Sequence, residues 1–153
     1  MKKTNSIIKK EATMARNRTY PLEVLRVAEP IHPVPMNSPK EVVGFMASEA
    51  LADREMFWVL HLNVKNRIVK KELVAMGAVD NCQISPGLAL RSVVANGVPA
   101  VITVHNHPSG DVSPSVEDRT LWKAMGEACR LLGIRLVDNI VIGREGYFSE
   151  KQG

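Results

Sequence analysis

Apolar residues follow one another in runs that predict the strands of a sheet. Residues 56–62 form a nearly unbroken apolar run, which is typical of a buried strand. The polar residues 63–66 separate it from a second strand predicted over 67–76, so the two strands should form a hairpin. Residues 99–104 are apolar and rich in β-branched side chains, which favours a central strand. Further strands are predicted over 22–27, 134–142 and 147–148.

Three other segments carry apolar residues at helical spacing. The first helix should begin after Ser38, which can form a capping box with Glu41, and should continue to about Asp53. The other helices are predicted over 86–96 and 115–132, and each is followed by a glycine suited to the end of a helix. Because helices and strands mix without regular alternation, the pattern predicts an α+β fold.

Composition agrees with one soluble, folded domain. The chain has 153 residues, of which 45% are hydrophobic and 24% are charged. These values exclude a wholly disordered chain, a fibrous repeat and a membrane-embedded protein. We expect three parts: a tail over 1–20, a proline-rich lead-in with a short strand over 21–37, and the folded domain over 38–153.

Positive charge is concentrated at the start of the chain. Residues 1–20 contain six basic residues and one acidic residue, a net +5, so the remainder of this +4 chain carries −1. A basic tail can hold nucleic acid weakly through its phosphates. The alternative is a solvated, disordered terminus with no ligand.

The cysteines and the N-terminus indicate a cytoplasmic protein. Cys82 and Cys129 lie far apart and in no paired motif, so a reducing compartment is the simpler expectation. The basic start is not followed by the apolar run of a secretory signal. We therefore expect no contact with a membrane.

Two histidines stand where the predicted central strand meets a loop. His105 and His107 are two positions apart, so their side chains should point to the same side of a strand. Asp118, in the first turn of the following helix, could supply an anionic third ligand. Two histidines and one aspartate leave a tetrahedral zinc with one open position, in which a bound water would be acidified to a pKa of about 7.

A purely structural interpretation of these residues stays open. A single histidine is more often a packed or surface residue than a ligand, and Asp118 also fits a capping box that begins at Ser115. His61 lies inside an apolar strand and is interpreted as structural. Trp58 and Trp122 are interpreted as core residues.

The segment over 105–118 resembles a known signature. His105, His107, Ser115 and Asp118 follow the pattern His-x-His, seven residues, Ser, two residues, Asp, which resembles the JAMM (MPN-plus) metalloprotease signature. The wording His-Asn-His-Pro-Ser-Gly-Asp is similar, more narrowly, to the bacterial RadC-like JAB domain family. Residues 55–64 also resemble the family's Glu-x-Phe strand, and 131–142 its closing strand. The resemblance covers roughly residues 38–150.

This resemblance implies a function and a set of roles. It implies a zinc-dependent hydrolase that activates a metal-bound water to cleave a peptide or isopeptide bond. His105, His107 and Asp118 match the zinc ligands, Glu55 matches the acid/base, and Ser115 matches the serine that stabilises the oxyanion. The implied fold is a cytidine-deaminase-like α/β/α sandwich, a mixed sheet with helices on both faces.

The chain also departs from the family pattern. It has Pro-Gly-Leu over 86–88 where members often have Pro-Arg-Glu, and Asp138-Asn139 where they have Asp-His, so the doubt falls on substrate contacts or packing. Residues 1–37 are too short and too rich in proline to hold the DNA-binding helix-hairpin-helix module of longer members. Two alternatives to a hydrolase stay open: a nucleic-acid accessory protein, as the family's DNA-repair name suggests, and a non-catalytic MPN-like scaffold. Substrate and oligomeric state are not specified.

Overall fold

The computed structural model of the protein describes residues 28–77 and 84–153. These residues form a five-stranded mixed sheet with helices on both faces. The strands are β1 (Met56–Leu62), β2 (Ile68–Met76), β3 (Ala100–Asn106), β4 (Arg135–Ile142) and β5 (Tyr147–Ser149). The helices are α1 (Pro39–Phe45), α2 (Pro86–Ala95) and α3 (Val116–Leu132), with a 3₁₀ turn at Glu49–Leu51.

The sheet has the strand order β2-β1-β3-β4-β5, which confirms the predicted hairpin and the central strand. β1 is antiparallel to both β2 and β3, whereas β3 and β4 are parallel. A parallel pair needs a crossover, and α3 provides it. Because β1 and β3 lie inside the sheet and are covered on both faces, they are buried along almost their whole length, as their sequences predicted.

Apolar side chains fill the space on each side of the sheet. On one side, Met46 packs with Leu60 and Ile102. On the other side, residues of α2 and α3 such as Val93 and Met125 pack with strand residues. The expected mixed sheet between helices is therefore confirmed. Trp58 and Trp122 are both buried, as predicted.

The first helix is shorter than predicted. It begins as expected, with the Ser38 backbone N–H donating to the Glu41 carboxylate at 2.6 Å. It ends at Phe45, however, and not near Asp53. The apolar positions beyond it belong to the separate 3₁₀ turn, in which Ala50 is buried and Leu51 is exposed. The apolar residues of the short helix and of the 3₁₀ turn recur at a similar spacing, so the sequence predicted one continuous helix.

The proline-rich lead-in is hydrogen-bonded to the start of β2. Ile31 N–H donates to the carbonyl of Ile68, and Met36 N–H donates to the carbonyl of Asn66. Met36 is buried in the core. The predicted tail over 1–20, the strand over 22–27 and Cys82 lie outside the described residues.

Across residues 28–77 and 84–153, none of the helices has the length and apolar character needed to span a bilayer.

Candidate metal centre

The two histidines predicted as ligands lie at the end of β3, next to the start of β1. The register pairs Phe57 with His105, so the residues just before β1 and just after β3 meet at one edge of the sheet. The loop after His107 turns back and leads into α3, whose first turn lies at the same edge. Three separate parts of the chain therefore contribute side chains to one place.

The imidazoles of His105 and His107 face each other. Their Nε2 atoms are 3.1 Å apart, and the His105 side chain is only 3% exposed. The Nδ1 atom of His107 lies 2.7 Å from the carbonyl oxygen of Asp111. That carbonyl can only accept, so it selects the tautomer with the proton on Nδ1 and leaves the Nε2 lone pair directed at the cluster.

The His105 ring is held by aromatic neighbours. It stacks on Phe57, with ring centroids 6.1 Å apart, and lies 6.2 Å from the ring of Trp122. Among the described residues, the buried Nδ1 atom of His105 has no hydrogen-bond partner. Packing, rather than a second hydrogen bond, therefore orients this imidazole.

Asp118 is both a helix cap and a member of the cluster. Its carboxylate accepts from the Ser115 N–H at 2.7 Å, and its own N–H donates to the Ser115 hydroxyl at 3.0 Å, which completes a capping box. The same carboxylate lies 3.1 Å from His105 Nε2 and 3.5 Å from His107 Nε2. The capping interpretation of Asp118 is thus confirmed, and its role as a ligand, which the same geometry allows, stays a prediction.

The pKa values of Asp118 and His107 are shifted in the directions expected of an ion pair. Burial alone would raise the pKa of Asp118, but hydrogen bonds to His105 and His107 hold that pKa well below its ordinary value. The hydrogen bond to Asp118 raises the pKa of His107, against the opposing effect of burial. The cluster therefore favours an anionic Asp118 and attracts positive charge.

Glu55 completes the group. Its Oε1 atom lies 4.0 Å from His107 Nε2. One ligand atom from each of Glu55, His105, His107 and Asp118 lies within 4.8 Å of all the others. Two imidazoles and two carboxylates at this spacing suit a divalent transition metal such as zinc, so the donor set fits the ion that the sequence implied.

Ser115 lies next to the cluster at the N-cap of α3, where its hydroxyl accepts from the Asp118 N–H. Its predicted role at an oxyanion stays a prediction. A cavity of about 670 Å³ opens beside the cluster and is lined by Glu55, His105 and Asp118 together with apolar side chains such as Met56 and Leu121. The cluster is therefore open to a ligand through this cavity.

His61 differs from the histidines of the cluster. It is buried in β1, and its Nε2 atom lies 2.8 Å from the Glu72 carboxylate. Burial lowers the pKa of His61, which keeps it neutral in the core. This environment agrees with the structural role predicted for it.

The departures from the family pattern lie in two different places. Asn139 is buried and donates to the Glu150 carboxylate at 2.7 Å, while Asp138 accepts from the Ser149 hydroxyl at 2.6 Å, so this pair ties the C-terminal segment to β4. The other departure is at Gly87 and Leu88, which follow Pro86 in the first turn of α2. Pro86, which the family pattern shares, lines the cavity beside the cluster, and the two departing residues do not. The departure at Asn139 therefore bears on packing.

Asn106 also belongs to the site, although no sequence pattern predicted it. It is fully buried and bonds to the backbone on both sides of Glu55. Its position between the two histidines is evident in the sequence, but its contact with the segment around Glu55 is not.

Comparison with known proteins agrees with this geometry. The family model described as the RadC-like JAB domain matches residues 36–153. The chain is 36% identical over 143 residues to a UPF0758 protein of Actinobacillus pleuropneumoniae, covering 93% of this chain and 63% of that protein. It is 37% identical over 117 residues to a UPF0758 protein of Desulforudis audaxviator, covering 76% of this chain and 51% of that protein.

The chain thus spans between about half and 63% of the length of these relatives. The five-stranded mixed sheet with three helices is consistent with a JAB/MPN-type fold. On the match over 36–153, the chain belongs to the RadC-like JAB domain family.

Proposed function

We propose that the protein is a zinc-dependent hydrolase of the JAMM type that cleaves a peptide or isopeptide bond. The observation that carries this proposal is the convergence of Glu55, His105, His107 and Asp118, with their ligand atoms all within 4.8 Å of one another. The cavity beside them supports it, because a purely structural zinc is usually closed by four protein ligands and needs no access for another molecule.

Each member of the cluster has a distinct task. His105, His107 and Asp118 would hold the zinc, and Glu55 would stay outside the set of three ligands. Zinc supplies Lewis acidity, which polarises a carbonyl and makes water a nucleophile near neutral pH. Glu55 accepts the proton of the attacking water and delivers it to the leaving amine, a contribution of about 10²–10⁴-fold in rate.

Ser115 would act on the oxygen of the reacting carbonyl. Its hydroxyl oxygen already accepts the Asp118 N–H, so the hydroxyl hydrogen is the part that a substrate oxygen can receive. A donor aimed at a developing oxyanion is worth about 10²–10³-fold in rate. The capping geometry supports this task because it holds the hydroxyl beside the carboxylate of Asp118.

The test compares two variants that separate metal binding from proton transfer. Glu55→Gln should keep zinc and lose hydrolysis by about 10²–10⁴-fold. His105→Ala should lose zinc, and His32→Ala, which changes a histidine outside the cluster, should lose neither. Zinc content is measured by mass spectrometry of the metal, and hydrolysis by the new termini that appear in a mixed peptide library. Hydrolysis retained in both Glu55→Gln and His105→Ala would end the proposal.

A nucleic-acid role is a second candidate, supported by the net +5 charge of residues 1–20. Binding of a DNA duplex that weakens as salt is raised, and that disappears when residues 1–20 are deleted, would favour it. Binding that is indifferent to salt would count against it. A metal-free scaffold is the weakest candidate, because this chain has the ligand set that such domains lack.

A further inference from the structure

Asn106 contacts the backbone on both sides of Glu55. Its side-chain Oδ1 atom accepts from the Met56 N–H at 2.8 Å, and its Nδ2 atom donates to the Arg54 carbonyl at 2.9 Å. The Asn106 side chain is fully buried, which shields its end of both bonds from water. Asn106 also stands between His105 and His107, so one residue connects the strand of the histidines to the segment of Glu55.

These two bonds extend the sheet beyond its last backbone pair. The pairing of β1 with β3 ends where Phe57 meets His105, and β1 itself begins only at Met56. Beyond that point the carboxamide of Asn106 supplies the donor and acceptor that another strand residue would have supplied. On the opposite side, the Gly77 N–H donates to the Glu55 carbonyl at 2.9 Å. The backbone around Glu55 is thus held from both sides although it precedes the strand.

We propose that Asn106 is a positioning residue that holds Glu55 at the metal cluster. The inference rests on the proposed function, in which Glu55 transfers the proton. Its chemistry is specific: the site needs a donor and an acceptor at the end of a short side chain. Alanine supplies neither, and aspartate keeps an oxygen for Met56 but loses the amide donor to Arg54. Because Asn106 bonds the backbone of Arg54 and Met56, on either side of Glu55, it acts through the position of Glu55.

The first measurement tests the two hydrogen bonds of Asn106, beginning with the unmodified protein. In the wild type, the Met56 amide should exchange its hydrogen as slowly as the amides inside β1. In Asn106→Ala, the Met56 amide should exchange about two- to tenfold faster, since one hydrogen bond is lost. Asn139→Ala is the matched control, because it removes another buried asparagine one strand away from β3. Fast exchange at Met56 in the wild type would overturn the inference without any variant.

The second measurement tests the consequence, with Co²⁺ alone as the probe. The pH midpoint of the visible cobalt spectrum should shift in Glu55→Gln, because a nearby carboxylate is removed. Asn106→Ala should shift it in the same direction, and should add nothing further in the Glu55→Gln background. The affinity of the Asn106→Ala variant for Co²⁺ should stay within about threefold of that of the wild type, since the three proposed ligands, His105, His107 and Asp118, remain. Asn106→Leu, which has nearly the same shape but no charge and no hydrogen-bonding group, should behave likewise, and it replaces the alanine variant if that one does not fold.

The outcomes separate this inference from the function on which it rests. If Glu55→Gln shifts the midpoint and neither Asn106 variant does, Asn106 does not position Glu55, and the proposed hydrolase stands. If the Asn106 variants lose Co²⁺ as His105→Ala does, Asn106 serves the histidines and the inference is wrong. If Glu55→Gln itself shifts nothing, Glu55 is not at the metal, and both the inference and its role in hydrolysis are wrong.

Discussion

Zinc should stabilise this protein strongly, because the cluster exists only in the folded chain. One donor atom from each of its four side chains lies within 4.8 Å of the others, and these side chains come from three separate segments. A ligand that binds only the folded state adds about 4.1 kcal/mol when its free concentration is about 1,000 times the dissociation constant. One kcal/mol raises Tm by about 2–4 °C in a domain of this size, so zinc should raise Tm by about 8–16 °C.

Asp118→Asn is the most informative change. The asparagine oxygen can still accept the Ser115 N–H that caps α3, but the negative charge beside His105 and His107 is gone. Loss of a ligand should weaken zinc at least as much as loss of an outer partner does, about 10–100-fold. A 100-fold loss reduces the gain from zinc to about 1.4 kcal/mol at the same free zinc, which is about 3–6 °C in Tm.

The assay is calorimetric unfolding of protein freed of metal, with and without zinc in a chelator buffer. His32→Ala controls for the loss of a histidine outside the cluster, and should show the full gain. Equal gains in the wild type and in Asp118→Asn would refute the reasoning, because they would mean that zinc binds elsewhere. A wild type without any gain would refute it too.

Three further predictions address pH, the cap and the C-terminal segment. In metal-free protein, the raised pKa of His107 adds stability that is complete below its unfolded pKa of 6.5 and is lost as pH rises through the folded pKa. The lowered pKa of Asp118 adds stability that is present above its unfolded pKa of 3.8 and is lost on acidification. Urea unfolding should therefore show the advantage of the wild type over Asp118→Asn to be greater at pH 5.5 than at pH 8.5, and an equal advantage would contradict it. Ser115→Ala should cost about 1 kcal/mol in unfolding free energy through the lost cap; with an oxyanion role it should also lower kcat more than it raises KM, and a change in stability alone would leave only the cap. Asn139→Ala should cost about 1–3 kcal/mol in the same urea assay, because it leaves the buried Thr103 hydroxyl without its partner, and it should not change zinc content.

Local patterns accounted for the elements and for part of the site. The apolar run over 56–62 is β1 to the residue, because a central strand is covered on both faces and its sequence therefore shows it directly. Likewise α3 begins after Ser115 and ends before Gly133, which takes the left-handed conformation at φ 69°. The predicted end of the first helix was wrong. Apolar residues that pack on one core show a similar spacing whether they lie on one long helix or on a short helix followed by a 3₁₀ turn.

The histidine pair could be read from the chain, since two positions on one strand end necessarily share a side. The choice of Glu55 could not be made in this way. Its local sequence does not distinguish it from Glu72 or Glu117, and only the family resemblance selected it. In the folded protein Glu72 bonds His61, whereas Glu55 reaches the cluster. The register of β1 against β3 brings Glu55 to this edge of the sheet, and Asn106 bonds the backbone on both sides of it. Both depend on which distant strands pair, and short-range periodicity carries no information about that.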